Sequence, residues 1–284
     1  MALLTIALLA VREAARRRLL TAAAALTIVL VGLTGWSVSR LVSLHDAWKS
    51  PSTVALHASI FVILLAWGFS MVLAVGAAFL AAPAIASEVE TGLILAVLPR
   101  PIRRSDFVLG KWLGLALLLG AYIALTAALE FATIKAVTGY LPPHPIAAAL
   151  YLMGEAFVLM TLALFASTRV ASMTGGIIAI ALFGVAWIAG MVQTIAIAFN
   201  NQSIETATAA VGLLLPTDAF WRGAVFSLEP SAVVATANAA GRSAADNTPF
   251  GISAPPSTAL LLWSFGWTAV VLSAAVLTFN HRDL

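Results

Sequence analysis

The stretch ASIFVILLAWGFSMVLAVGAAFLAAPA, residues Ala58–Ala84, contains no charged side chain. A helix rises about 1.5 Å per residue, so roughly 20 apolar residues are enough to cross the hydrocarbon core of a bilayer. This stretch exceeds that length. It therefore predicts a membrane-spanning helix that extends beyond the hydrocarbon layer.

Further stretches of the same kind lie on both sides of it: Leu19–Val38, Phe107–Val137, Ala147–Ser167, Gly175–Ala198 and Thr258–Phe279. The whole chain of 284 residues is 62% hydrophobic and 10% charged, with a mean hydropathy of +1.03. Soluble domains carry about 25% charged residues. The sequence therefore predicts an all-α integral membrane protein with six transmembrane helices.

The distribution of Lys and Arg predicts the orientation. Ten of the fifteen basic residues fall on the side that holds the N-terminus, and they include two tight clusters at 12–18 and 100–104. Basic residues are enriched on the cytoplasmic side of membrane proteins, so both termini are predicted to be cytoplasmic. Because the positive charges flank apolar segments, the net charge of +3 does not indicate a nucleic-acid partner.

The N-terminal segment, residues 1–18, is apolar at first and ends in an arginine run. It is too short to cross the membrane separately from the helix that follows. We expect a helix that lies in the membrane interface and contacts lipid, with a continuation of the first span as the alternative.

A long segment at 199–257 is predicted to lie outside the membrane. Its first half has the pattern of two helices, Ile204–Leu215 and Ala219–Leu228, the second of them capped by Pro216, Thr217 and Asp218. The second half, rich in Gly, Ser, Pro and Asn, is predicted to be irregular.

The cytoplasmic loop at 86–106, which we call the coupling loop, carries acidic, apolar and basic residues in turn. Glu88 and Glu90 precede the apolar run Leu93–Leu98, and Pro99 and Pro101 interrupt a helix there. Ser105 and Asp106 are placed to cap the next span. We expect a short helix, a sharp turn and a re-entry into the membrane.

The sequence contains no recognisable catalytic motif. Cysteine is absent, and the only Gly-Lys pair, Gly110-Lys111, lacks the remaining residues of a phosphate-binding loop. The four histidines lie in loops or at span ends and form no metal-binding motif. We therefore predict no catalytic residue, no metal site and no cofactor in this chain.

Three polar residues lie within the predicted spans: Glu130, Glu155 and Gln193. Counted from the outer ends of their helices, all three are about 8–12 Å deep. They therefore could converge on a polar patch that lines a substrate path. The alternative is a structural hydrogen-bond network between helices. The pair Gly110 and Gly114 favours close helix contact, within the chain or between two chains.

The coupling loop resembles the signature of ATP-binding-cassette (ABC) permeases of the type-2 exporter class. In that family an acidic E-x-E-x-G start and an R-P-[VI]-x-R-x-[DE]-[FL] turn are followed by Gly-Lys. The residues that match are Glu88, Glu90, Gly92, Arg100, Pro101, Ile102, Arg104, Asp106, Phe107, Gly110 and Lys111. The C-terminal Phe279, Arg282, Asp283 and Leu284 also match, whereas Leu93, Pro99 and Arg103 depart from the pattern.

This resemblance implies one permease domain over residues 1–284, in a bacterial or archaeal cytoplasmic membrane. It implies that Glu88, Glu90, Gly92, Arg100, Pro101 and Arg104 dock on a cytoplasmic ATPase subunit, which binds the ATP and Mg²⁺. It also implies a second permease chain and export of the substrate. A short likeness at Pro216-Thr217-Asp218 and Arg222 is similar to the branch that includes the copper-maturation permease of nitrous-oxide reductase.

Two other interpretations stay open. The chain could be a self-sufficient secondary transporter or channel in which Glu130 and Glu155 carry coupling protons. The coupling loop could rest on anionic lipid instead of a protein. A membrane enzyme is disfavoured because the sequence shows no nucleophile paired with a base.

Overall fold

The protein is described here by a computed structural model, which covers residues 2–15, 18–44, 51–92, 103–230, 252 and 254–281. All regular secondary structure in these ranges is helical. Six helical segments are long and apolar enough to cross a membrane, which confirms the predicted number of spans. The residues of the coupling loop at 93–102, which include Arg100 and Pro101, and the matching C-terminal residues 282–284 lie outside the described residues.

The helices are numbered in chain order. They are α1 Ala2–Ala15, α2 Arg18–Leu44, α3 Pro51–Ala81, α4 Pro83–Glu90, α5 Arg104–Thr138, α6 Pro145–Ser167, α7 Ser172–Ala198, α8 Gln202–Leu214, α9 Thr217–Leu228 and α10 Thr258–Asn280. The second span continues from α3 through a turn at Ala82 into α4. Most spans are a few residues longer than predicted because polar and charged residues, such as Arg104, extend the helices past their apolar cores.

Helix α6 forms the centre of the bundle. It packs against α3, α5, α7, α9 and α10. In its most apolar stretch 56% of the residues are buried, against 17% in α2 and 11% in α10. The outer helices α2 and α10 therefore present most of their side chains to the surroundings, which suits contact with lipid.

The segment at 199–230 packs against the predicted spans. Its two helices form as predicted, but α8 packs along α7 and α9 packs along α6. The Trp263 indole of α10 donates to the Leu213 carbonyl at 2.8 Å. The backbone N–H of His144, at the start of α6, donates to the Ser227 carbonyl at 3.2 Å. We call α8 and α9 the hairpin: α8 lies on the outside of α7 and buries no residue, whereas α9 is largely buried against α6. Hydropathy alone does not reveal this arrangement.

Two glycines, one on each helix, allow α6 and α9 to approach closely. A Cβ at Gly154 of α6 would lie 2.3 Å from the Phe220 ring, and a Cβ at Gly223 of α9 would lie 2.4 Å from the Tyr151 ring. Each helix therefore inserts an aromatic ring where the other has no side chain. This reciprocal packing holds the hairpin against the centre of the bundle.

Another pair of glycines brings α1 against α5. A Cβ at Gly110 would lie 2.8 Å from Ile6, and a Cβ at Gly114 would lie 2.4 Å from the Ala7 carbonyl oxygen. The Gly-x-x-x-Gly pattern therefore serves contact within the chain. The opposite face of α1 exposes Leu4 and Leu8, as an interfacial helix would.

The capping predictions were wrong in detail. Helix α5 begins at Arg104 after Arg103, and no side chain caps its first turn. Asp106 lies within that turn, where its negative charge interacts favourably with the helix dipole. In α9, Pro216 precedes the helix and likewise supplies no side-chain cap, and Asp218 bonds to Arg222 instead.

The substitution Gly154→Ala is expected to loosen the packing of α9. The added methyl group meets a buried ring that cannot withdraw, and overpacking of this kind costs about 1–3 kcal/mol. Thermal unfolding in detergent is the measurement. Gly184→Ala, at a position with no atom within 4 Å of the added group, is the matched control and should be neutral or stabilising. Gly154→Ala combined with Phe220→Leu should recover part of the loss; equal melting of all variants would contradict the packing argument.

Candidate functional site

The described part of the coupling loop lies at one end of the bundle, together with the N-terminal helix and the last described residues of α10. Phe107 at the start of α5 stacks on Phe279 near the end of α10, with ring centroids 5.6 Å apart. The Arg104 guanidinium donates to the carbonyls of Phe279 at 3.3 Å and Asn280 at 3.0 Å. Cationic groups stabilise the C-terminal end of a helix. Three residues of the family signature thus hold α10 against α5.

A buried lysine organises the same end. The side chain of Lys111 is only 7% exposed, and its Nζ lies 2.8 Å from Glu13 Oε2. The Glu88 carboxylate forms a second ion pair with the same Nζ. The three residues belong to α5, α1 and α4. We call this arrangement the Lys111 triad.

Lys111 needs these partners because a buried ammonium group without them is costly. Lys111 belongs to the family signature, but its partners are not identified by the sequence pattern. The signal was present: a lysine inside an apolar helix requires a carboxylate, and Glu13 and Glu88 are among the few acidic residues at this end. Spacing along the chain could not select them, because they come from separate helices.

Glu90 has a different position. Its carboxylate accepts hydrogen bonds from the Ser172 backbone N–H at 3.1 Å and from the Ser172 hydroxyl at 3.2 Å. Ser172 is the first residue of α7, where unpaired N–H groups and the helix dipole favour a negative charge. Gly92 follows with a φ of 71°, a backbone conformation that glycine adopts without strain. Glu90 therefore joins α4 to α7, and Gly92 turns the chain.

Within the membrane, Glu155 belongs to a polar cluster where α9 enters the bundle. It is 2% exposed, and its Oε1 accepts a hydrogen bond of 2.7 Å from the Ser70 hydroxyl of α3. Asp218 of α9 lies within electrostatic range of Glu155 and is paired with Arg222 at 2.7 Å. Arg222 also donates to the Gly190 carbonyl and the Thr194 hydroxyl of α7, at 3.2 and 3.3 Å. The Ser70 bond joins α3 to α6, and the Arg222 bonds join α9 to α7.

Glu130 lies elsewhere, on α5, where Thr34 of α2 faces it. Gln193 is half-buried on α7 beside Thr194. Among the described residues, no hydrogen bond or ion pair joins Glu130, Glu155 and Gln193 to one another. Similar depth in sequence therefore did not bring the three side chains together: Glu155 lies in the cluster around Arg222, and Glu130 faces a separate cavity.

Glu229, immediately after α9, is a titratable group that the sequence analysis did not single out. Burial raises the pKa of its carboxyl to about 7, although the Ile252 backbone N–H that donates to Oε1 at 3.4 Å acts in the opposite direction. The folded protein therefore retains a proton on Glu229 at pH values where the unfolded chain, with a pKa near 4.5, has released it.

The stability contributed by neutral Glu229 is fully present below about pH 4.5 and falls as the pH rises towards 7, because the folded state binds the extra proton over that window. We expect the melting temperature of Glu229→Gln to fall less than that of the natural protein between pH 5 and pH 8. Melting curves in detergent at several pH values measure this. Parallel pH profiles for the two proteins would contradict the assignment.

The Lys111 triad makes a second prediction. Lys111→Met leaves the Glu88 carboxylate without its partner, and an unsatisfied charged group costs about 1–3 kcal/mol or more when buried. Unfolding in detergent should show this loss. The double variant Lys111→Met with Glu88→Leu should lose less, since no charge is left unpaired between these two positions. Lys135→Met, on the exposed far end of the same helix, is the control and should change stability by less than about 0.5 kcal/mol. If the losses in free energy of unfolding for Lys111→Met and Glu88→Leu simply add in the double variant, the two residues do not form a pair.

These features define a polytopic helical membrane protein whose signature residues fasten one end of the bundle. A family model described as ABC-2 family transporter protein matches residues 4–284. The chain therefore belongs to the ABC-2 transporter family and is an ABC-2-type permease. None of the curated proteins matches it.

Proposed function

We propose that this chain is the membrane-spanning subunit of an ABC exporter and that its coupling loop docks on a separate cytoplasmic ATPase. The observation that carries the proposal is the family match over residues 4–284, together with the position of the loop. Helix α4 leads into the loop and α5 leads out of it, and both are tied to α1 by the Lys111 triad. A force applied to the loop would therefore move three helices together.

The structure changes the role that we propose for two residues of the docking set. Glu88 pairs with Lys111, and Glu90 bonds to the start of α7. We propose that these carboxylates hold the loop in position and that the apolar run Leu93–Leu98 supplies most of the contact with the ATPase. Apolar side chains at the centre of an interface provide most of the binding energy, and surrounding charges set the register. Arg100 and Pro101 belong to the same proposed surface.

The proposed cycle is mechanical. ATP and Mg²⁺ bind to the partner subunits, and closure of these subunits displaces the coupling loops of two permease chains. The helix bundles then change the side from which substrate is accessible.

The basic clusters near 12–18 and 100–104 support placing this end in the cytoplasm of a bacterial or archaeal cell. The Asp218–Arg222 pair lies in the stretch similar to the copper-maturation branch, and we propose that the chain belongs to that branch.

A self-sufficient secondary transporter is less well supported by these contacts. A proton path would need polar groups in sequence across the bundle. Glu155 and Glu130 instead lie in separate surroundings, without a hydrogen bond between them among the described residues. Family membership also favours dependence on an ATPase.

The test is capture of an ATPase from native membranes. The tagged chain should retain a stoichiometric cassette ATPase, and Leu95→Asp in the coupling loop should reduce that retention by at least tenfold, since it places a charge in the proposed apolar contact. Leu141→Asp is the matched control, because Leu141 is 42% exposed and follows α5 at the other end of the bundle. In Leu141→Asp, retention of the ATPase should be unchanged.

Glu88→Lys should also weaken capture, and adding Lys111→Glu should restore part of it if Glu88 acts by positioning the loop. A chain that purifies without an ATPase, and that transports in liposomes with an ion gradient alone, would overturn the proposed function. Retention unaffected by Leu95→Asp would overturn the docking surface.

A further inference from the structure

A cavity of about 180 Å³ lies inside the bundle between α2, α3 and α5. Leu152 of α6 and Leu228 of α9 contribute to its wall. Its lining is almost entirely aliphatic and aromatic, with Phe69 and Phe131 as the two rings. A space of this size accommodates a single aromatic ring, since a cavity of about 150 Å³ binds benzene.

Two polar side chains, Thr126 and Glu130, interrupt this apolar lining one turn apart on α5. Thr126 is 2% exposed. In the described part of the chain, neither its hydroxyl oxygen nor Oε2 of Glu130 has a hydrogen-bond partner. The Thr34 hydroxyl of α2 also faces Glu130 but does not line the cavity. Buried polar groups nearly always have partners. Two such oxygens, on Thr126 and Glu130, at one cavity point to a ligand that supplies donors.

The cavity reaches the outer surface of the bundle between α2 and α3. Leu26 of α2 and Leu64 of α3 both line it, and they are 39% and 44% exposed. Helix α2 packs mainly on α5 and touches α3 at few positions. A compound dissolved in the membrane would therefore enter from the side, without crossing the polar ends of the bundle.

The depth of the polar groups restricts the ligand. Glu130 lies eight residues before Thr138, the end of α5, which is about 12 Å along the helix. Because the lining around this level is apolar, the ligand must carry its polar group there on a small apolar body.

We propose that this cavity binds a small hydrophobic ammonium compound, with its ring among the apolar side chains and its NH₃⁺ group directed at Glu130 and Thr126. An ammonium group has three donors, and the Glu130 carboxylate and the Thr126 hydroxyl offer acceptor oxygens. The positive charge is balanced by the carboxylate, and the faces of Phe69 and Phe131 attract a cation. An anionic ligand would be repelled by Glu130, and a purely apolar ligand would leave both side chains without partners.

The proposal concerns binding by the isolated chain and needs no ATPase, so its failure and the failure of the proposed function are separable. The experiment uses the full chain in lipid nanodiscs. Fluorine NMR follows the titration of 4-fluorobenzylammonium, and 4-fluorotoluene serves as the neutral probe of the same shape. Empty nanodiscs correct for partition into lipid.

The natural protein should bind the ammonium probe in a saturable manner. Glu130→Gln should weaken that binding at least tenfold, which corresponds to about 1.4 kcal/mol, and Thr126→Val should weaken it several-fold. Both variants should bind the neutral probe as well as before or better. Thr133→Val is the matched control, because the Thr133 hydroxyl already donates to the Leu129 carbonyl and Thr133 is not part of the cavity lining; its affinity should be unchanged.

Melting curves establish that each variant is folded. Equal binding of the two probes by the natural protein would overturn the proposal, because it would show a cavity without selectivity for charge. Unchanged ammonium binding in Glu130→Gln would do the same. Leu64→Cys tests whether a second copy covers the opening. If two copies cross-link through this cysteine, and the ammonium probe binds only after they separate, a second chain occupies the opening and the proposal is contradicted.

Discussion

The arrangement at the signature end of the bundle depends on the need of one buried ammonium group for counter-charges. Lys111 lies in an apolar helix and is almost fully enclosed, so its charge must be balanced within the protein. The two carboxylates that balance it come from α1 and α4. This requirement fixes the N-terminal helix against the third span and fixes the start of the coupling loop against both. The glycines at 110 and 114 make the same approach sterically feasible. Charge and close packing therefore specify one arrangement of three helices.

The signature residues have two kinds of role, and the distinction explains how the family pattern relates to the fold. Phe107 and Arg104 hold the end of α10, Glu90 bonds to the start of α7, and Glu88 belongs to the Lys111 triad. Each of these residues acts on its own chain. These residues of the motif therefore make contacts within the chain, and such contacts would give the proposed docking segment a fixed base. The partner would then bind the residues between these fixed points.

The six spans could be predicted from the sequence because each is a long apolar run, and composition alone determines whether such a run crosses lipid. The hairpin of α8 and α9 could not be placed in this way. Its helices are short, and they carry Glu205, Asp218 and Arg222, which lower their hydropathy. These charges are accommodated because Arg222 is satisfied by Asp218 and by oxygens of α7. That compensation arises from tertiary contacts and is invisible to any single segment. The same reason explains why Glu130 and Glu155, at similar depth, lie in different surroundings.

Differences in packing across the bundle connect these observations. Helix α6 is the most buried of the spans, and α9 is held to it by reciprocal ring-on-glycine contacts. Helix α2, in contrast, is held mainly along α5, through Thr27 and Tyr122 and through Gly35 against Thr133. Well-packed elements move as rigid bodies, whereas loosely packed ones change position at low cost. A displacement at the Lys111 triad would therefore act directly on α5, which carries Lys111 and packs against both α2 and α6. The cavity that contains Glu130 lies along the contact of α5 with α2, the less buried of these two neighbours.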